Sequence, residues 1–109
     1  MARQTDSLQG TLDLLVLKAL NRGSNHGFGI TLYIQTVSEG ALRVEEGSLY
    51  PALRRLEREG DIRGEWKMTE NGRRAHFYTL TRQGRQRLFE VEQRWATLTK
   101  NVNKVLRFE

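Results

Sequence analysis

Apolar residues near the N-terminus recur every three or four positions, which is the spacing of one face of an α-helix. They are Leu8, Leu12, Leu15, Val16, Ala19 and Leu20. This pattern predicts a first helix. Asp6 and Gln9 have the spacing of a capping box at its start, and Arg22-Gly23 supplies a cation and a C-cap at its end.

A second, shorter helix is predicted after a glycine-containing loop at 23–27. Its apolar residues follow the spacing i, i+3, i+4 and i+7 and are Ile30, Tyr33, Ile34 and Val37. The helix ends near Gly40, because glycine is common just beyond a helix C-terminus. Residues 43–47 then link it to a third helix.

The third helix has an apolar stripe on one side and basic residues on the other. The predicted stripe is Leu49, Leu53 and Leu56. Arg54 and Arg58 project the opposite way, and Tyr50 and Arg55 flank them. The outward face of this helix is therefore basic.

A proline marks the start of the third helix. With Ser48 as the N-cap, Pro51 takes the third helical position, where a backbone N–H has no partner within the helix. Gly60 ends the helix.

A β-hairpin is predicted next, because apolar and polar residues alternate from Ile62 to Met68 and a second β-type run extends from His76 to Leu80. Asn71-Gly72 between the runs suits the positive φ angles of a tight turn. We interpret Trp66 as a packing residue of this hairpin.

Thr81 is a suitable N-cap for a last long helix, from Arg82 to Val105, about 36 Å long at ~1.5 Å per residue. Its apolar positions are spaced 3, 4, 3, 4 and 3, as in a coiled-coil seam. They are Leu88, Val91, Trp95, Leu98, Val102 and Val105. A second chain is expected to cover this seam, together with Leu14 and Leu17 on the other side of the first helix. Packing of the seam against the first helix of the same chain is the alternative.

Length and charge restrict the class of protein. The 109 residues fit one domain, which we divide into a helical and hairpin part at 1–81 and a terminal helix at 82–109. The net charge is +5, and the stretch from Asn71 to Arg87 holds five arginines and no acid, which favours a polyanionic partner. No apolar run is long enough to cross a membrane, the N-terminus lacks signal-peptide features, and cysteine is absent, so we expect a cytoplasmic protein.

Three helices followed by a basic hairpin is the order of a winged helix-turn-helix, a mainly α fold with a small β-hairpin (α+β). Arginine can hold a phosphate or a guanine edge with two parallel hydrogen bonds, so double-stranded DNA is the expected partner. The predicted DNA-binding residues are Ser48, Tyr50, Arg54, Arg55, Arg58, Asn71, Arg73 and Arg74. A helix cap is an equally good interpretation of Ser48 as a DNA contact, and core packing is an equally good interpretation of Tyr50.

These motifs resemble the PadR-like family of bacterial transcriptional regulators. The resemblance rests on segments 10–17 and 26–30, on 47–60 with its Leu-Tyr-Pro-Ala-Leu run, and on Trp66, 73–74, 78–81 and Gly84. It implies a homodimeric repressor with a C-terminal dimerisation helix, and it implies that some members release DNA on binding a small aromatic effector. Trp95 is then the candidate effector contact, with space filling in the seam as the alternative.

Two departures from the family pattern change the local expectations. Glu45-Glu46 places two acids beside the predicted DNA surface, which favours the helix N-terminus but would repel a close phosphate. Gly29 takes the place of a larger polar residue, and we expect it to loosen the second helix.

Other classes of function fit less well. The chain has only two histidines and no cysteine, and it lacks the nucleophile-elbow, zinc-protease and phosphate-loop motifs. We therefore expect no enzyme activity, no metal and no cofactor. A winged helix that binds an acidic protein or RNA is the remaining alternative.

Overall fold

The computed structural model describes residues 4–108, with side chains from residue 10 onward. Within this range, the chain forms four helices and three strands. They are α1 (Gln4–Leu20), β1 (Asn25–His26), α2 (Gly27–Val37), α3 (Glu46–Arg58), β2 (Ile62–Met68), β3 (Arg74–Leu80) and α4 (Arg82–Arg107). The predicted α+β fold is confirmed. The capping box predicted at Asp6 and Gln9 lies outside the side chains described.

The strands form one antiparallel sheet in the order β1-β3-β2. The predicted hairpin is β2 and β3, but β1 was expected to be loop. Its two residues pair with Tyr78 and Phe77 of β3, and a run this short carries no alternating pattern in the sequence.

The hairpin turn differs from the predicted tight turn. Thr69 N donates to Arg73 O over 2.7 Å, which closes a loop of three residues, 70–72. Gly72 has φ 78° whereas Asn71 keeps a negative φ, as expected for a type I turn followed by a left-handed residue. This loop sets the strand register, in which Trp66 lies opposite His76.

The core lies between α1, α2, α3 and the inner end of the hairpin. The predicted stripe of α3 is fully buried there against Val16 and Leu17 of α1 and Ile30 of α2. Leu14, Leu17 and Leu88 are also core residues of this single chain, so for these three the structure corrects the prediction of a surface covered by a second chain. α1 was expected to have two apolar sides, and α4 packs against this helix as well.

The start of α3 differs from the prediction. Its N-cap is Glu45, in extended conformation and without a side-chain cap, so Ser48 lies inside the first turn. Pro51 is then inside the helix, where its missing N–H leaves the Gly47 carbonyl without the usual donor. Glu46 lies in the first turn, where its negative charge favours the helix dipole.

Two glycines provide close contacts that the sequence pattern did not reveal. A Cβ at Gly29 would overlap the Asn25 side chain, so glycine fits the β1–α2 junction rather than loosening it. His26 caps this helix, because its Nδ1 accepts from Gly29 N over 3.0 Å. A Cβ at Gly84 would overlap the Asp61 carbonyl oxygen, so glycine lets α4 begin against the turn between α3 and β2.

α4 begins and ends close to the prediction. Thr81 is its N-cap, with Oγ1 accepting from Gly84 N over 3.0 Å. Gln83 Nε2 donates to Asp61 Oδ1 over 2.9 Å and fixes the same junction. In the part of the chain described, no helix combines the length and apolar character required to span a membrane.

Candidate nucleic-acid interface

A groove of about 1080 Å³ lies between α3, the start of α2 and the hairpin. Five of the residues predicted to bind DNA line it. They are Tyr50 and Arg54 of α3, Asn71 and Arg73 of the turn, and Arg74 of β3. Among the described lining residues, Glu57 is the one acid. The structure therefore brings cations from the helix and from the hairpin to opposite walls of one groove.

The other three predicted residues lie elsewhere. Ser48 and Arg58 are exposed on α3 but do not line the groove. Arg55 turns away from it, because its Nη2 donates to Asp13 Oδ1 of α1. We therefore assign Arg55 to the contact between α1 and α3 instead of the predicted DNA contact.

The Arg55–Asp13 ion pair is largely enclosed, with side chains 20% and 10% exposed. Burial raises the pKa of Asp13, since it disfavours the charged carboxylate, and the nearby Arg55 guanidinium partly opposes this effect. The pair ties α3 to α1.

A ladder of rings and one cation extends along the groove face of the hairpin, and we call Tyr78, His76, Trp66 and Arg74 the aromatic ladder. The His76 ring lies 4.7 Å from the Tyr78 ring and 4.7 Å from the Trp66 ring, nearly parallel to the latter. Arg74 Cζ lies 4.9 Å from the Trp66 ring centre. The prediction that Trp66 packs in the hairpin thus identifies one member of this ladder, although the side chain is still 57% exposed.

Glu57 connects α3 to the ladder. Gly64 N donates to Glu57 Oε2 over 3.3 Å, and a Cβ at Gly64 would meet both Glu57 and His76. Tyr78 lies at the inner end, where burial, followed by the negative charge of Glu57, raises the pKa of its phenol.

Two apolar side chains of α2, Phe28 and Leu32, also line the groove and are exposed. The periodic apolar pattern predicted only the buried stripe of this helix, so these two residues were not identified from the sequence. Their i, i+4 spacing outside that stripe was the available signal.

A second cavity, of about 680 Å³, lies between α1 and α4. Leu14 from α1 and Val91, Trp95 and Leu98 from α4 line it. The predicted seam of α4 is therefore divided, because Leu88 and Val91 pack on the core of their own chain while the residues from Trp95 onward are exposed. A salt bridge of 3.0 Å between Lys18 and Glu92 joins the two helices.

Both the sequence and the fold of this chain match a known protein family. The sequence model of the transcriptional regulator PadR-like family matches residues 16–90, which is most of the chain. The chain belongs to the PadR-like family of transcriptional regulators.

Solved structures of PadR-like and other regulators have the same fold. A PadR family regulator from Eggerthella lenta is 31% identical, with a TM-score of 0.76 over 96% of this chain and 90% of that one. A PadR-like regulator from Bacillus cereus is 28% identical, with a TM-score of 0.79 over 95% and 99%. A transcriptional regulator from Clostridium thermocellum is 26% identical, with a TM-score of 0.81 over 94% and 97%.

As a PadR-like protein, the chain is a DNA-binding transcriptional regulator of the winged-helix type. In winged-helix terms, α3 is the recognition helix and the β2–β3 hairpin is the wing. The family consists of regulators and not of enzymes. No cluster of three or more metal-ligating side chains is found among the residues described.

Proposed function

We propose that this PadR-like protein binds a pseudo-palindromic DNA operator as a homodimer and represses transcription. The observation that carries the proposal is the groove with Arg54 on the recognition helix and Arg73 and Arg74 on the wing. Bacterial transcription takes place in the cytoplasm, so we expect the protein to act there.

The charge and shape of the groove suit one backbone strand of a duplex. A recognition helix in the major groove and a wing beside it leave a DNA strand between them, and each arginine can bind a phosphate with two parallel hydrogen bonds. Glu57 does not oppose this arrangement at full strength, because its carboxylate accepts from Gly64 N at the base of the groove. Exposed Arg58 extends the basic face of the helix.

The proposed dimer rests on the outer part of α4. Trp95, Leu98, Val102 and Val105 lie on one side of the helix and are 43% to 74% exposed. α4 has 26 residues, about 39 Å at ~1.5 Å per residue, which exceeds what α1 covers. A second copy would bury these side chains and place two recognition helices about 34 Å apart, in successive major grooves.

We also propose that a small aromatic effector binds in the cavity between α1 and α4 and releases the protein from DNA. Its lining is mainly apolar, and Trp95 offers a ring for stacking against a small aromatic molecule. Space filling at the dimer interface is the competing role of Trp95. Quenching of Trp95 fluorescence by an aromatic compound, in a Trp66→Phe background, separates the two, since only a ligand site gives saturable quenching.

The test of the proposed function is DNA binding as a function of salt. The purified protein is mixed with random-sequence duplexes, the bound fragments are selected, and the affinity for a selected and an unrelated duplex is measured. We expect Arg54→Ala to reduce the difference between the two duplexes. Arg73→Ala combined with Arg74→Ala should weaken both equally and lower the log-log salt slope by about 0.9 per lost phosphate contact.

Arg107→Ala, at the far end of α4, is the matched control. It should change neither the difference in affinity between the two duplexes nor the salt slope. Absence of duplex binding at low salt would overturn the proposal. If single-stranded RNA displaces the bound duplex and unlabelled duplex DNA does not, the RNA-binding alternative is favoured.

A further inference from the structure

We propose that Trp66 and His76 are positioning residues that hold Arg74 at the groove between α3 and the hairpin, ready to contact DNA. The inference rests on the proposed function and adds which side chains make the wing cation effective. Nothing in the fold requires an exposed tryptophan at this place, since Trp66 lies beyond the buried core and 57% of it is exposed.

The strand register puts the whole aromatic ladder on one face of the hairpin. Trp66 pairs directly with His76, and Arg74 and Tyr78 lie two residues before and two residues after His76 along β3. Side chains two residues apart share a face of a strand. The ladder therefore extends without interruption from Tyr78, which is buried in the core, to Arg74, which is exposed at the groove.

Each step of the ladder is a contact that limits rotation. His76 stacks on Trp66 at an interplanar angle of 8°, and Tyr78 Oη lies 3.2 Å from His76 Nδ1. The Arg74 guanidinium then lies over the indole, which attracts a cation through its π electrons. An arginine held in this way loses less rotamer freedom when it binds a phosphate than an unrestrained one.

The ladder is also fixed relative to the recognition helix. Gly64 has no side chain, so β2 approaches α3 closely enough for its N–H to reach Glu57. His76 fills the space beside Gly64. The positions of Arg74 on the wing and Arg54 on α3 are thereby related through protein contacts before DNA arrives.

Arg73 provides an internal comparison. It is adjacent in sequence and lines the same groove, but it belongs to the turn and not to the ladder. If the ladder positions Arg74 only, changes in Trp66 should couple to Arg74 and not to Arg73.

The experiment is a pair of double-mutant cycles on the full chain, read out as affinity for the selected duplex and as salt slope. Trp66→Leu and Arg74→Ala are each expected to weaken binding by the homodimer about a hundredfold, because each copy loses one charge-assisted contact worth about tenfold. The double variant should be no weaker than the stronger single variant. Each of the three variants should lose about 1.8 from the salt slope, because each copy of the homodimer loses one phosphate contact worth about 0.9.

Trp66→Leu combined with Arg73→Ala should give the product of the two single losses. Trp66→Phe retains an aromatic ring and should restore most of the affinity and the slope. His76→Ala, which removes the ring behind Trp66, should reproduce the loss and the coupling to Arg74. Thermal unfolding followed by circular dichroism shows whether each variant is folded, and His76→Ala carries the test if Trp66→Leu is not.

Multiplicative losses in the Trp66 and Arg74 cycle, with unmodified protein that binds DNA normally, would overturn this inference alone. Full affinity of Trp66→Leu would do the same. If the unmodified protein binds no duplex, the proposed function fails and the inference fails with it.

Discussion

Arg54 and Arg55 are neighbours in the sequence, yet the helix directs them to different surroundings. Successive residues of an α-helix are rotated by about 100°, so Arg54 projects into the groove while Arg55 reaches Asp13 of α1. Both side chains were predicted to contact DNA. The identity of the residue carried the same signal in each case, and only the position of α1 distinguishes them.

Replacement of these two arginines should affect different properties. Arg55→Ala leaves the Asp13 carboxylate enclosed without its partner, so we expect it to lower the free energy of unfolding by about 3 kcal/mol. Arg54→Ala removes an exposed side chain and should change it by less than about 0.5 kcal/mol. Urea unfolding of both variants measures the difference. Equal stabilities would show that the Arg55–Asp13 pair contributes nothing to the fold.

Asp13 should also give the protein a measurable dependence on pH. Its pKa is raised above the ordinary value of 3.8, chiefly by burial, so the folded state holds this proton at pH values where the unfolded state has released it. The contribution of Asp13 to stability is therefore fully present below about pH 3.8 and is lost as pH rises through the folded-state pKa.

Asp13→Asn removes this titration and serves as the reference. The unfolding free energy of the unmodified protein minus that of Asp13→Asn should fall as the pH rises from about 3.8 through the folded-state pKa of Asp13, and then remain level. A difference that increases over this range would mean that pairing with Arg55 outweighs burial.

At the scale of elements, the junction between α4 and the turn after α3 depends on a close backbone approach. By helix propensity alone, Gly84 weakens the first turn of α4, because glycine lowers helix stability. The structure shows instead that the Asp61 carbonyl oxygen occupies the space of a Cβ. Helix propensity and packing therefore make opposite predictions for the same substitution.

Gly84→Ala decides between them. Overpacking should outweigh the gain in propensity and lower the free energy of unfolding by about 1–3 kcal/mol. Gly10→Ala is the matched control, because Gly10 lies within α1 and no side chain among the described residues comes within 4 Å of an added Cβ. Alanine there should stabilise the protein by up to about 1 kcal/mol. Thermal unfolding of both variants is sufficient. Stabilisation by both substitutions would contradict the close contact at Asp61.

The helices and the hairpin could be predicted because the apolar pattern of each extends over enough residues to be recognised. The cations of the groove could be predicted because they are concentrated in the sequence. β1 has two residues and no period. The N-cap of α3 was predicted at Ser48 because proline favours an early helical position. The observed N-cap is Glu45, about one turn earlier. The aromatic ladder depends on the register, which a three-residue loop at 70–72 shifts by one position from that of a two-residue Asn71-Gly72 turn.

At the scale of the whole molecule, α4 gives the chain an elongated shape of 58 × 29 × 25 Å. The core ends near Val91, and the apolar side chains of the later turns of α4 remain 43% to 74% exposed. Exposed apolar surface of this extent is typical of an interface. The proposed dimer would convert this surface into the contact that spaces the two recognition helices.

Leu98→Asp tests that contact, because it places a carboxylate in the middle of the seam of each copy. Burial of an unpaired charge is costly, so we expect the dissociation constant of the dimer to rise at least about a hundredfold. Asn103→Asp adds the same charge outside the seam and should leave it unchanged. Sedimentation velocity over a range of concentrations measures both. Loss of dimer should also weaken binding to a two-site duplex much more than to a single half-site, since only the dimer engages both halves at once. A Leu98→Asp protein that sediments as an intact dimer would rule out α4 as the interface.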